Sequence, residues 1–195
     1  FRVAVPDVIM KKLVEFNLPV MMRQVRARIE QTQHVPPSAR VDMAQILRRS
    51  MDELSPLAQE ERAILAIHAP QSAWVTGDHD ELIRVVENLI ENAIKYGAKP
   101  NEPARVTIEL AQVERDIVLS VADEGPGIAR QHIPRLTERF YRADANASRA
   151  KGGTGLGLAI VKHIVVRHSG RLVIESEPGR GACFRVIIPE CKNGA

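Results

Sequence analysis

One apolar stripe dominates the middle of the chain. Leu82, Val86, Leu89 and Ala93 recur at helical spacing between Asp78 and Gly97. They predict an amphipathic helix from about His79 to Tyr96, opened by Asp78 as a capping residue and stopped by Gly97. Upstream, Ile46, Leu47, Met51, Leu54 and Leu57 approximate one face and predict a helix over Val41 to Glu60. Ala63 to Ala69 alternates and predicts a strand, Trp74 and Val75 a short second one, and Gly77-Asp78 a turn. Arg105 to Leu110 and Asp116 to Val121 alternate strictly across a short polar turn, the pattern of a hairpin. A further helix is predicted from about Thr154 to His168, stopped by Gly170. Leu172 to Glu175 and Cys183 to Ile188 then predict two strands around a Pro178-Gly179-Arg180-Gly181 turn.

The ends are less patterned. Val8 to Val14 and Met21 to Gln33 predict two helical pieces interrupted by Pro19. His34-Val35-Pro36-Pro37-Ser38 predicts a linker, since paired prolines suit neither helix nor sheet. The chain thus divides into a helical segment at 1–37, a main domain at 38–190 and a tail at 191–195. Residues 130–142 predict a short helix followed by Arg139-Phe140-Tyr141-Arg142. Ala143 to Lys151 has no apolar anchor and predicts a mobile lid. No internal repeat is present. Helices and hairpins in this order predict an α+β fold, a two-layer α/β sandwich with a short N-terminal helical appendage.

Composition narrows the class. The 195 residues are 45% hydrophobic but only 4% aromatic, so the predicted core is aliphatic. The formal charge of +3 comes from interspersed bases and acids, which argues against nucleic-acid binding. Cys183 and Cys191 form no CxxC pair, and the histidines lack metal-site spacing. Neither a zinc framework nor a disulfide scaffold is therefore expected, and a reducing cytoplasmic setting fits. No apolar run reaches membrane-spanning length. The chain begins at Phe1 rather than Met, as expected of a piece of a longer protein whose membrane anchor would lie elsewhere.

Three stretches carry chemistry. Asn88, Asn92 and Lys95 sit at i, i+4 and i+7, so two amides and an ammonium share one helical face beside the apolar stripe. An Asn carbonyl is a hard oxygen ligand suited to Mg²⁺, and a nearby Lys meets phosphate charge. The same spacing also suits a plain solvent-facing surface. Asp123 ends a strand before Gly125 and Gly127. Its carboxylate can accept a hydrogen bond from an exocyclic amine such as adenine N6, although Asp-Glu-Gly-Pro-Gly is also an ordinary turn. Finally, Lys151-Gly152-Gly153-Thr154-Gly155-Leu156-Gly157 runs into a helix. Glycine backbone and a helix start together cradle phosphate, or else form a flexible loop before a core helix. The stretch is neither a Walker P-loop nor a dinucleotide fingerprint.

Their order is more specific than any one of them. Asn-x-x-x-Asn-x-x-Lys-Tyr, Asp-x-Gly-x-Gly, Phe-Tyr-Arg and Gly-Gly-Thr-Gly-Leu-Gly-Leu follow one another over about seventy residues. This series resembles the catalytic and ATP-binding domain of sensor histidine kinases, within the GHKL or Bergerat-fold ATPases. The likeness covers roughly residues 38–190, with some similarity to the phosphate-regulon type. The segment Asn88 to Tyr96 matches the N box, Asp123 to Gly127 the G1 box, Glu138 to Arg142 the F box and Gly153 to Gly157 the G2 box.

The resemblance implies ATP and Mg²⁺ as ligands. It implies that Asn92 ligates the metal, that Asn88 supports phosphate or metal contacts, and that Lys95 contacts phosphate. Tyr96 and Ile128 would line the nucleotide pocket, Asp123 would hold the adenine amine, and Gly125 and Gly127 would shape the pocket. Phe140 would anchor the lid hinge. Backbone N–H groups from Gly153 through Thr154, Gly155, Leu156 and Gly157 would bind phosphates. Two partners are implied, a histidine-bearing dimerisation domain and the receiver domain of a response regulator.

The sequence also departs from the family. No histidine lies in residues 1–33, and His34 is followed by Val35-Pro36-Pro37, so no acceptor histidine on a helical hairpin is expected here. Ala182-Cys183 stands where the family often has Ser or Thr, with Cys183 expected as strand core. Asn88 occupies the place of the water-activating acid of other GHKL ATPases, and Glu87 and Glu91 are expected to point elsewhere on the helix. The implied activity is γ-phosphate donation from ATP to a histidine, acting in trans. The rivals are a non-catalytic nucleotide-binding or docking module and a serine kinase of the anti-sigma type.

Overall fold

A computed structural model describes residues 38–143 and 154–191. The expected helical pieces before residue 34, nearly all of the linker, the lid from residue 144 on, and Gly153 lie outside the described residues. The chain divides into two units between Pro36 and Pro37, and the described residues belong to the second.

Strand β1 (Ala39–Asp42) opens that unit, which the periodicity did not predict. Helix α1 (Met43–Glu60) follows. The expected helix start at Val41 is therefore two residues early. Val41 is used as a strand residue opposite Val75, and Asp42 caps the helix. The Asp42 carboxylate accepts from the Ala44 N–H at 3.0 Å and also from the Ala73 N–H at 2.8 Å. One side chain so closes the helix end and fixes the loop before β3 (Trp74–Gly77), the antiparallel partner of β1. Gly77 lies in that strand rather than in a turn. A Cβ there would stand 2.5 Å from Leu82 Cδ1 and 2.9 Å from the His168 ring.

Helix α2 (His79–Tyr96) has the predicted bounds. The Asp78 carboxylate accepts from the Glu81 N–H at 2.9 Å, satisfying one of the orphan donors of the first turn. Asp80 and Glu81 lie at the positive end of the helix and Lys95 at the negative end, as the macrodipole favours. Leu82, Val86, Leu89 and Ala93 are all buried, with Val85, Ile90 and Ile94 widening the stripe. Gly97 ends the helix, but with φ at −82° rather than in the left-handed region. Glycine is required there by space, since a Cβ would lie 2.4 Å from Ala93 O and 2.7 Å from Asp123 Cβ.

Five strands form the main sheet: β2 (Ile64–His68), β4 (Arg105–Val113), β5 (Asp116–Asp123), β6 (Arg171–Ser176) and β7 (Ala182–Pro189). Their order is β2-β4-β5-β7-β6; only the β2–β4 pair is parallel. Alternation buries Val106, Ile108 and Leu110, then Ile117, Leu119 and Val121, then Ala182, Phe184, Val186 and Ile188. The helices cover this face, α1 packing on α2 and α2 on α3 (Gly157–Arg167), which is the expected two-layer α+β sandwich. The other face carries Glu109, Ser120 and Arg185, with an Arg185–Glu175 ion pair at 2.8 Å. Cys183 lies on that face, half-buried, and so is not part of the core, because the alternation that turns Phe184 inward turns it outward.

Two further boundaries move. Helix α3 starts at Gly157 and not at Thr154, because Gly155 adopts a left-handed φ of +69° that no helix continues. At its other end Ser169 (φ +56°) makes the left-handed turn, while Gly170 is pinned by space, 2.4 Å from Ile187 O to a virtual Cβ. Residues 130–142 hold only a single 3-10 turn, Ile133–Arg135. No helix among the described residues is long and apolar enough to cross a membrane.

Candidate functional site

The site forms where α2, the end of β5, the β6–β7 hairpin and the start of α3 meet. Between them lies a cavity of about 500 Å³, within the usual range for small-molecule sites. Its wall along α2 is the row Asn88, Glu91, Asn92, Lys95 and Tyr96. These positions follow the i, i+3, i+4, i+7, i+8 rule for one helical face, displaced from the buried stripe. Glu91 belongs to this row, contrary to the expectation that it points elsewhere, and it accepts a hydrogen bond from the Lys95 ammonium. Glu87 turns instead to α1. Its burial and a hydrogen bond with the Glu53 carboxyl push its pKa up.

At the C-terminal end of α2, Asp123 is held rigidly. Its Oδ1 accepts from the Gly125 N–H at 2.9 Å and the Ala182 N–H at 3.3 Å. Burial raises its pKa, and those two N–H groups partly offset the rise. Oδ2 has no protein partner among the described residues, and Asp123 lines the cavity. A half-buried carboxylate with one oxygen committed and one open is suited to a single hydrogen-bond donor on a ligand.

The glycines around Asp123 serve close approach. A Cβ on Gly125 would lie 2.8 Å from Gly97 Cα, and one on Gly127 (φ +69°) only 2.0 Å from Glu177 O. The hairpin answers with Ser176. Its hydroxyl accepts from the Ile128 N–H at 2.8 Å and donates to Gly181 O at 2.6 Å. Nothing in the sequence singled out Ser176, a polar residue at a strand end. Its role exists only because the β5 exit and the β6–β7 hairpin cross there.

At the other end, the start of α3 faces Asn88. A Cβ on Gly157 would stand 2.6 Å from Asn88 Oδ1, while Asn88 Nδ2 donates to Arg84 O at 2.7 Å. Among the described residues no side chain caps α3, and its first turn begins beside Thr154, Gly155 and Gly157, which line the cavity. Phe140 donates its N–H to Gly155 O at 2.8 Å, takes a left-handed φ of +65° and is 46% exposed as a residue. Phe140, Gly125 and Leu156 stand behind the lining, acting through backbone contacts. Asn88, Asn92, Lys95, Tyr96, Asp123, Gly127 and Ile128 reach the wall. Tyr141 and Leu158, which lie within the F box and the glycine motif but were given no role, and Leu136 and Phe184, which lie in no motif, also line it.

From Asn88 to Gly97 is nine residues, or about 13 Å along the helix. The cavity therefore has an amide- and N–H-rich end at Asn88 and Gly157 and a carboxylate end at Asp123, beside apolar Ile128, Ala182 and Phe184. A polyanion at one end and a flat amine-bearing ring at the other fit that polarity.

Residues 77–192, more than half of the chain, match the model of the histidine kinase-, DNA gyrase B- and HSP90-like ATPase family. The chain belongs to that family. The domain is 35% identical over 164 residues to the sensor-like histidine kinase SenX3 of Mycolicibacterium smegmatis, covering 84% of this chain and 42% of the relative. It is 37% identical over 158 residues to the phosphate regulon sensor protein PhoR of Pseudomonas aeruginosa, covering 81% and 35%. Among solved structures it resembles the mycobacterial sensor histidine kinase MprB, with a TM-score of 0.67 and 31% identity over 78% of this chain and 98% of that one. The chain spans less than half the length of the two curated relatives. It is an ATP-binding domain of the histidine-kinase type, and its relatives are histidine kinases.

Proposed function

We propose that this domain binds MgATP and donates the γ-phosphate to a histidine on a dimerisation domain, for relay to the aspartate of a response-regulator receiver domain. The observation that carries the reading is the polarity of one cavity, from the α3 start and Asn88 at one end to the open Asp123 oxygen at the other. Asp123 accepts the adenine amine, with Gly125 and Gly127 letting the backbone close on the ring and Ile128 and Tyr96 walling it. Lys95, Thr154 and the N–H groups of Gly155 and Gly157 hold the phosphates; Leu156, whose N–H turns to Thr154 Oγ1 at 3.4 Å, and Gly153, outside the described residues, are assigned there on the resemblance alone. Phe140 anchors the hinge of the segment that follows it.

No group of three His, Cys, Asp or Glu side chains gathers among the described residues. That donor set does not suit a resident metal. It suits Mg²⁺ arriving on the nucleotide, which takes one or two protein oxygens and keeps water and phosphate as its other ligands. Asn92 supplies an oxygen, with Asn88 supporting the phosphates beside it. Bound there, the ion neutralises charge on the transferring phosphoryl group, and the protein positions the reactants. A neutral imidazole is already a nucleophile, so no general base is required of this chain.

On this reading residues 1–37 are a remnant of, or substitute for, the helical dimerisation segment, and 191–195 are a tail. The protein works on the cytoplasmic side, where its partners would be. The test is calorimetric titration with ATP, with and without Mg²⁺, followed by radiolabel transfer to a supplied dimerisation domain. Asn92→Ala binding MgATP as the parent does would overturn the site assignment. Binding without any transfer would favour a non-catalytic module, and transfer to serine a kinase of the anti-sigma type.

A further inference from the structure

On α2 the cation that lines the cavity is already engaged. Lys95 donates to Glu91 Oε1, both residues line the cavity, and their side chains are 23% and 41% exposed. The order, Glu four residues before Lys, is the favourable one for a helical ion pair. Glu91 stands three residues from Asn88 on the same helical face and lines the cavity with it, so its carboxylate lies toward the Asn88 end, where a polyanion would sit.

We infer that Glu91 sets the affinity of this site for phosphate: it occupies Lys95 in the empty domain and competes with the ligand's phosphates for that ammonium. The inference rests on the nucleotide assignment above and adds a residue that assignment does not require. A partly exposed pair of this kind is individually weak, and so is readily exchanged. Its carboxylate nevertheless repels each phosphate charge brought near it, and the repulsion grows with the number of charges. Glu91 therefore loosens ATP more than ADP, and loosens the metal-free nucleotide more than the metal-bound one, whose charge is partly cancelled. Net affinity is held down and exchange of spent nucleotide is quickened. A metal ligand at the same position would act with the opposite sign.

The test compares the parent chain with Glu91→Gln, Lys95→Met and the double variant by calorimetric titration with ATP and ADP, in EDTA and in Mg²⁺. Glu91→Gln keeps the size of the side chain and removes its charge. It is expected to tighten metal-free ATP about fivefold, ADP by less, and MgATP least, with the gain shrinking at high salt. In the Lys95→Met background part of that gain should vanish, a coupling between the two sites. Unchanged or weaker metal-free ATP binding by Glu91→Gln, with the same thermal unfolding as the parent, overturns the inference while leaving the nucleotide assignment standing. A selective loss of MgATP binding in that variant makes Glu91 a metal ligand and likewise overturns it. A parent chain that binds neither nucleotide overturns both.

Discussion

Gly157 and Asn88 are in contact across two helices, with Asn88 Oδ1 only 2.6 Å from where a Gly157 Cβ would stand. The amide cannot swing aside without giving up its 2.7 Å bond to Arg84 O. Gly157→Ala is therefore expected to strain the junction by about 1 to 3 kcal/mol and to weaken ATP binding by more than it lowers stability, because the α3 amides move with it. Adding Asn88→Ala should make room and recover stability. Calorimetric titration and urea unfolding of the two variants check this.

Asp123 is expected to make nucleotide binding acid-sensitive. Burial raises its pKa and the Gly125 and Ala182 N–H groups oppose the rise. Only the ionised carboxylate is purely an acceptor, so affinity for ATP should fall as pH drops through a value above the usual aspartate range. Titrations between about pH 4 and 8 should show the loss in the parent and a flatter profile in Asp123→Asn. The sign for stability is reversed. A carboxyl with a raised folded pKa holds its proton longer in the native state, so Asp123 costs stability as pH rises from the unfolded to the folded value.

Tyr141 lines the cavity and is held from two sides. Its hydroxyl lies 2.5 Å from His132 Nδ1, and the Arg135 guanidinium covers its ring at 4.2 Å. Tyr141→Phe and His132→Leu should each weaken ATP binding by about threefold, the worth of one hydrogen bond at a half-exposed site. The double variant should be no worse than either single one, since both remove the same bond. Additive losses would mean that the two side chains act separately.

A second polar junction serves stability alone. The His168 side chain is fully buried, its Nε2 accepting from the Asp78 N–H at 3.0 Å and its Nδ1 facing Ile164 O at 2.7 Å. Beside it Arg167 reaches the buried Glu81 at 3.3 Å. His168→Leu removes the acceptor of the part-buried Asp78 N–H, while Ile164 O keeps its bond from the His168 N–H, and should destabilise the domain by about 1 to 3 kcal/mol in urea unfolding. ATP affinity at low temperature should not change, because this junction ties the start of α2 to the end of α3, away from the cavity.

Local order made α2 legible. Its stripe, its Asp78 cap and the stop at Gly97 are all short-range features, and the spacing of Asn88, Asn92 and Lys95 follows from helical geometry alone. The β4–β5 hairpin and the β6 and β7 strands were legible for the same reason, since period two is written into adjacent residues. Strand β1 was not, because Val41 and the cap Asp42 look like the first turn of the helix until a partner strand claims them.

What remained lay in distances between segments far apart in the chain. Gly97 reads as a helix stop, yet it is glycine because Asp123, on another element, fills the space a side chain would need. Glu91 looked like one more charge on a helix surface, until the cavity formed around its row and set it against Lys95. The residues alone therefore determined which chemical groups the site would hold and in what order, because motif and periodicity are local. Only the tertiary structure decided which oxygen of Asp123 stays open and which acid lines the cavity beside Asn88, because those depend on contacts that exist only once the sheet and helices have closed.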